Sequence, residues 1–148
     1  MDYVITSLDD ELGELTKDDA TWKFHYVIDD HSFKADMCDL HSHGLEDIFG
    51  MELQLVLALP PEESGLILNI IGLLGLKGYR FKPGDKIYGL FADKDAPVRF
   101  TLNTDSQNKP ILRVWLPDEN YKVDETAFDL YGRQGENPYL EKEKTQVG

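Results

Sequence analysis

The run Leu53-Gln54-Leu55-Val56-Leu57-Ala58-Leu59-Pro60-Pro61-Glu62-Glu63-Ser64-Gly65-Leu66-Ile67-Leu68-Asn69-Ile70-Ile71-Gly72-Leu73-Leu74-Gly75-Leu76-Lys77 decides how this chain of 148 residues folds. Leu53 to Leu59 is apolar and short, which reads as a buried strand. Pro60 and Pro61 stop that strand and open a helix, in whose first turn Glu62 and Glu63 interact favourably with the helix dipole. The spacing predicts that the helix runs to about Lys77. Leu66, Ile67, Ile70, Ile71, Leu73 and Leu74 cover most of its circumference, the pattern of a central element rather than a surface one. Gly65, Gly72 and Gly75 each cost about 1 kcal/mol relative to alanine in a helix, so they point to close approach of a strand or another chain along that side.

On the N-terminal side, Trp22, Phe24, Tyr26 and Ile28 alternate with Lys23, His25 and Val27, the period of a strand with one buried face, and Asp29 and Asp30 end it. Lys34 to His43 predicts a second strand, and Gly44 to Gly50 a short helical turn. Beyond the helix, Gly78 is placed to cap it, and Phe81-Lys82-Pro83-Gly84-Asp85 reads as a loop and turn before a strand at Lys86 to Ala92. Val98 to Asn103 and Ile111 to Leu116 are β-rich runs joined by the polar stretch Thr104 to Pro110, which predicts an antiparallel hairpin. Strands before and after one hydrophobic helix at about residues 61–77 give a single α+β domain with a largely antiparallel sheet. Its core is expected at residues 21–118. Residues 1–20 read as an acidic arm or short helix, with Leu8, Leu12 and Leu15 at helical spacing. Residues 119–148 read as a polar C-terminal extension, loosely held from Gly132 onward and carrying alternating charges from Glu141 to Lys144.

Fifteen basic residues against 28 acidic ones leave a net charge of −13, which disfavours nucleic acid phosphates and anionic lipid as partners. The charge is uneven: residues 1–50 hold 13 acids and three lysines, residues 51–148 hold 15 acids and 12 bases. A composition of 41% hydrophobic residues suffices for a packed core. The lone Cys38 excludes an internal disulfide and reads as a buried structural thiol. Met1-Asp2-Tyr3 opens no basic-then-apolar leader, and Leu66 to Leu76 is shorter than the roughly 18 residues a membrane span needs. A cytoplasmic protein is expected. No Gly-rich loop ends in Lys followed by Ser or Thr, so nucleotide binding by that route is not expected.

All four histidines, His25, His31, His41 and His43, fall within 19 residues, interspersed with Asp36, Cys38 and Asp39. On an extended segment Asp39, His41 and His43 share one side and Cys38 points to the other. His41 and His43 can supply two imidazole nitrogens to Zn, Fe or Mn, with Asp39 or a histidine of the neighbouring strand such as His25 as third ligand. An open fourth position permits hydrolytic chemistry, with Glu46 as candidate general base. Two other readings stay open: the pair hydrogen-bonds at a polar strand end, or one histidine beside Asp39 acts without metal as a base or anion contact.

His41-Ser42-His43-Gly44-Leu45-Glu46, Glu52-Leu53-Gln54-Leu55-Val56-Leu57, Leu59-Pro60-Pro61-Glu62-Glu63, Leu68-Asn69 and Phe81-Lys82-Pro83-Gly84-Asp85, in that order and spacing, resemble a bacterial domain-of-unknown-function family. The resemblance runs from about Cys38 to Leu116 and extends to Ile111-Leu112-Arg113-Val114-Trp115-Leu116-Pro117-Asp118. Its members often carry a histidine just before the acidic-Leu pair, where this chain has Gly50-Met51. The family is functionally uncharacterised, so the resemblance implies a bacterial source and a domain boundary but no reaction.

Two functions follow from the residues. The first is a non-enzymatic binding protein needing no cofactor, whose acidic N-terminal face, with Asp9, Asp10, Glu11 and Glu14, meets a basic protein partner. The second is a metal-dependent, hydrolase-like enzyme built on His41 and His43. Self-association through the Gly-bearing helix or an exposed sheet edge is compatible with either.

Overall fold

The structure is a computed structural model, and it describes residues 1–27 and 32–140; His31, the Asp29-Asp30 strand end and the charges from Glu141 onward lie outside the described residues. Seven strands form one mixed sheet: β1 (Asp2–Val4), β2 (Lys23–Val27), β3 (Met37–His43), β4 (Leu53–Leu57), β5 (Lys86–Tyr88), β6 (Pro97–Thr104) and β7 (Pro110–Trp115). Their order across the sheet is β1-β5-β6-β7-β4-β3-β2. Four neighbouring pairs are antiparallel, while β1 with β5 and β4 with β7 are parallel, so the largely antiparallel α+β expectation holds. The helices are α1 (Leu8–Leu12), α2 (Glu46–Phe49) and α3 (Pro61–Leu76), with 3-10 turns at Lys17–Asp19 and Asp129–Arg133.

Alternation along the strands sorts their residues onto two faces. Leu40, Leu53, Leu55, Leu57, Val98, Phe100, Leu112 and Val114 pack on one face against Leu68, Ile71 and Leu74 of α3. Phe81 joins this core, stacked on Phe100 with ring centroids 5.0 Å apart. The α3 helix is less enclosed than its sequence predicts: Leu66 and Leu76 are exposed, because the sheet covers only one side of it. It also contacts α1, α2 and the first 3-10 turn. The helix glycines do mark close approach, but to side chains of the same chain. A Cβ on Gly72 would stand 2.5 Å from the Trp22 ring and one on Gly75 2.7 Å from Phe49, while nothing lies within 4 Å of such an atom on Gly65. Trp22 also explains the one amide in this apolar helix, since its Nε1 donates to Asn69 Oδ1 at 2.8 Å.

The described residues on both sides of the expected core are more involved than their composition suggests. The first 20 residues supply the edge strand β1, and Leu8, Leu12 and Leu15 pack against the core. The expected strand from Lys86 to Ala92 stops at Tyr88, because Gly89 adopts a left-handed φ of 99°. The C-terminal extension is not loose as far as residue 140. Gln134 is fully buried, donates to the Leu116 carbonyl at 2.7 Å and accepts from the Leu116 amide at 2.7 Å, replacing a strand partner for that residue.

Candidate metal centre

The second face of the sheet buries Val56, Ile111 and Trp115, and among them it carries a row of polar side chains. Register places His25 opposite His41, His41 opposite Gln54, Gln54 opposite Arg113 and Arg113 opposite Thr101, one row running across five strands. Within this row Gln54 and Arg113 are 1% exposed, and buried polar groups need partners. Arg113 Nε donates to Gln54 Oε1 at 2.9 Å, and Gln54 Nε2 donates to Asp39 Oδ1 at 2.9 Å. Arg113 Nη1 donates to the carbonyls of Gln134 and Glu136 at 2.7 and 2.9 Å, which clips the C-terminal extension onto this face. Burial lowers the Arg113 guanidinium to about 10, against the attraction of Asp39.

At the open end of the row the imidazoles of His25, His41 and His43 converge, with one ligand nitrogen of each within 4.8 Å of the others. Two come from alternate positions of β3 and the third from the edge strand β2 beside it, an arrangement that only strand pairing produces. His25 and His43 are exposed and His41 half-buried, and a zinc ion held by the set would need all three nitrogens at about 2.0–2.1 Å from it. Of the two third ligands left open by the sequence, the geometry puts His25 beside the pair and Asp39 behind it.

Asp39 serves another purpose. Its Oδ1 lies 2.9 Å from His41 Nδ1, and its Oδ2 accepts from the Tyr139 hydroxyl. A carboxylate only accepts, so Nδ1 of His41 carries the proton and Nε2 is left for a ligand when the ring is neutral. This carboxylate-histidine pairing is the support usually found behind a metal-bound imidazole. Burial pushes the Asp39 carboxyl up, but hydrogen bonds from His41, Tyr139 and Gln54 outweigh it and hold the group below the usual carboxylate range. The same hydrogen bond, donated to Asp39, raises His41 against the opposing effect of burial.

His41 and His43 also line a cleft of about 480 Å³ whose walls include Glu46, Met51, Asp105 and Lys109. Glu46, the candidate base, is exposed there, while Glu52 is committed to structure. The two Glu52 oxygens accept from the Ser42 hydroxyl and from the Gly44, Leu45 and Glu46 amides at 2.7–3.3 Å, fixing the turn that follows His43. Cys38 is buried and lies 3.3 Å from the Leu57 carbonyl, and burial pushes its thiol up to about 11, as fits a structural residue. Of the acidic N-terminal residues, Asp9, Asp10 and Glu14 are exposed, whereas Glu11 is half-buried and accepts from the Tyr79 hydroxyl.

Gln54, Arg113 and Tyr139 escaped sequence reasoning. For the first two a signal existed: each is a single polar residue inside an apolar strand run, and such a residue must find a buried partner. Tyr139 carried none, since it reaches the site from a segment 100 residues away from Asp39. No protein-family model, curated protein or solved structure matches the chain. No helix among the described residues is long and apolar enough to cross a membrane.

Proposed function

We propose that the chain is a metal-dependent enzyme of hydrolase type, with one divalent transition ion, zinc, iron or manganese, held by His25, His41 and His43. The convergence of three ligand nitrogens from two paired strands carries this reading. Three neutral imidazoles leave the full charge of the ion available at an open position, where it lowers the pKa of bound water to about 7 and polarises a carbonyl or phosphoryl oxygen. The cleft beside His41 and His43 has room for a small substrate, and Glu46, which lines it, is the candidate to take a proton from the water. Untagged protein purified without chelator is expected to contain about one metal per chain, as a single three-ligand site requires. It should bind cobalt with a tetrahedral visible spectrum, and His25→Ala, His41→Ala and His43→Ala should each lose it. Protein that neither contains nor takes up zinc, iron, manganese or cobalt sinks the proposal.

A second reading rests on the acidic N-terminal face, where Asp9, Asp10 and Glu14 are exposed and make no ion pair among the described residues. There a basic protein partner would dock by charge, and no cofactor is needed. Binding of a lysine-rich peptide should weaken with salt and with the Asp9→Asn, Asp10→Asn, Glu14→Gln triple variant. Binding that ignores both removes this reading.

A further inference from the structure

We propose that Tyr139 is a positioning residue for the histidine site, acting through Asp39 to decide which nitrogen of His41 is presented to a ligand. Its consequence for metal affinity rests on the metal reading above; the geometry does not.

The Asp39 side chain is only 3% exposed, so both its oxygens depend on protein donors. Oδ1 accepts from His41 Nδ1 and from Gln54 Nε2, each at 2.9 Å. Oδ2 has one side-chain donor among the described residues, the Tyr139 hydroxyl. Two oxygens held from opposite sides fix the plane of the carboxylate. With Oδ2 released, the group pivots about its hold on Gln54 and its alignment with the imidazole is lost. His41 is then no longer confined to the tautomer protonated on Nδ1, and Nε2 is a free ligand only in that tautomer.

The phenol reaches Asp39 because the segment around it is strapped down independently. The Lys34 amide donates to the Pro138 carbonyl and the Leu140 amide to the Ser32 carbonyl, both at 2.8 Å. Tyr139 forms an isolated bridge with Phe33, and their ring centroids lie 4.6 Å apart. These contacts run beside the start of β3, so the strap delivers the hydroxyl to the same strand that bears His41 and His43. The segment Pro138 to Leu140 is thereby coupled to the site. A ligand that needs Nε2 of His41 favours the docked strap, and by linkage the docked strap favours that ligand.

The test uses the full-length protein without metal, labelled with ¹⁵N-histidine, at a pH where His41 is neutral; long-range ¹H–¹⁵N spectra distinguish Nδ1–H from Nε2–H. Wild type is expected to show His41 protonated on Nδ1, and Tyr139→Phe, which removes one oxygen atom, to move it toward the Nε2–H form. Glu136→Gln is the control for a merely loosened extension. It weakens the ion pairs of Glu136 with Lys34 and Arg133, at 3.2 and 3.1 Å, without touching Asp39, and should leave the tautomer as in wild type. Zinc affinity measured on the same proteins should fall about tenfold in Tyr139→Phe, the size typical of losing a group behind a metal ligand. An Nε2–H tautomer in wild type, an unchanged tautomer in Tyr139→Phe, or an equal change in Glu136→Gln overturns the proposal. If wild type neither contains nor takes up zinc, iron, manganese or cobalt and the tautomer still shifts in Tyr139→Phe alone, the metal reading falls and the positioning role stands.

Discussion

The two faces of the sheet are made by the same strands, residue by residue in alternation, and both bury apolar side chains, yet only the face with Val56, Ile111 and Trp115 adds a row of buried hydrogen bonds to that packing. On the face toward α3, Leu53, Leu55, Phe100, Leu112 and Val114 are fully buried, and their attraction is non-directional and scales with area. On the opposite face Gln54, Arg113 and Asp39 are just as buried, but each is satisfied through aimed hydrogen bonds, continued by Trp115 Nε1 to the Thr101 hydroxyl at 2.9 Å. Area alone holds a chain compact and tolerates small shifts, whereas a hydrogen-bond row fails when one member moves. The histidines stand at the end of the second kind of face, where directional constraint is passed outward to rings that meet solvent.

Three perturbations break or sharpen that contrast. The largest effect belongs to the apolar face: Phe100→Ala should destabilise the fold by about 3–5 kcal/mol in urea denaturation, as for other large-to-small core substitutions. Molecules still folded should keep the wild-type tautomer of His41. Next is Arg113→Met, which fills similar volume but strands Gln54 Oε1 and the Gln134 and Glu136 carbonyls. It should cost about 3 kcal/mol, from several buried acceptors left without a donor. Unlike the first variant it should also disturb the His41 resonances. Equal disturbance by both would show that the faces do not act separately.

The smallest effect is that of pH. Asp39 is held low when folded, so its contribution is present above the unfolded carboxylate pKa and is lost as pH falls through the folded value. His41 is raised when folded, so its contribution is complete below the unfolded imidazole value and is lost as pH rises through the folded one. The urea midpoint should therefore hold a plateau between the unfolded carboxylate and imidazole values and decline on either side, on the acid side down to the depressed Asp39 and on the alkaline side up to the raised His41. In Asp39→Asn the alkaline decline due to His41 should vanish, and a decline of undiminished size would show that Asp39 is not its cause.

The apolar face was legible in the sequence because its signals are local. Pro61 after a short apolar run placed α3 to within a residue, and the polar stretch at Thr104 to Pro110 placed the hairpin of β6 and β7. The pairing of Asp39, His41 and His43 on one side of β3 was equally local, since it needs only a period of two. What lay beyond reach depends on sheet order. Nothing in the vicinity of Asp2–Val4 announces a parallel partner at Lys86–Tyr88, and composition marks residues 119–148 as a polar extension, loosely held from Gly132, although Gln134 supplies what a strand would have. Both segments are short or polar, and their places are set by distant backbone groups that need donors and acceptors.

Apart from β1, which lies parallel to β5 at one edge, the strand order divides the sheet into two antiparallel blocks, β2-β3-β4 and β5-β6-β7, each of consecutive strands and joined where β4 lies parallel to β7. His25, His41 and His43 all belong to the first block. The bonds that orient them reach into the later part of the chain, across 59 residues for Arg113 to Gln54 and 100 for Tyr139 to Asp39. Closing long loops costs more entropy than closing short ones, and a growing polypeptide emerges N-terminus first. During synthesis the histidine hairpin is therefore complete as a length of chain before Arg113 or Tyr139 exists. The site is born with all three rings and acquires its choice of nitrogen only when the second half arrives.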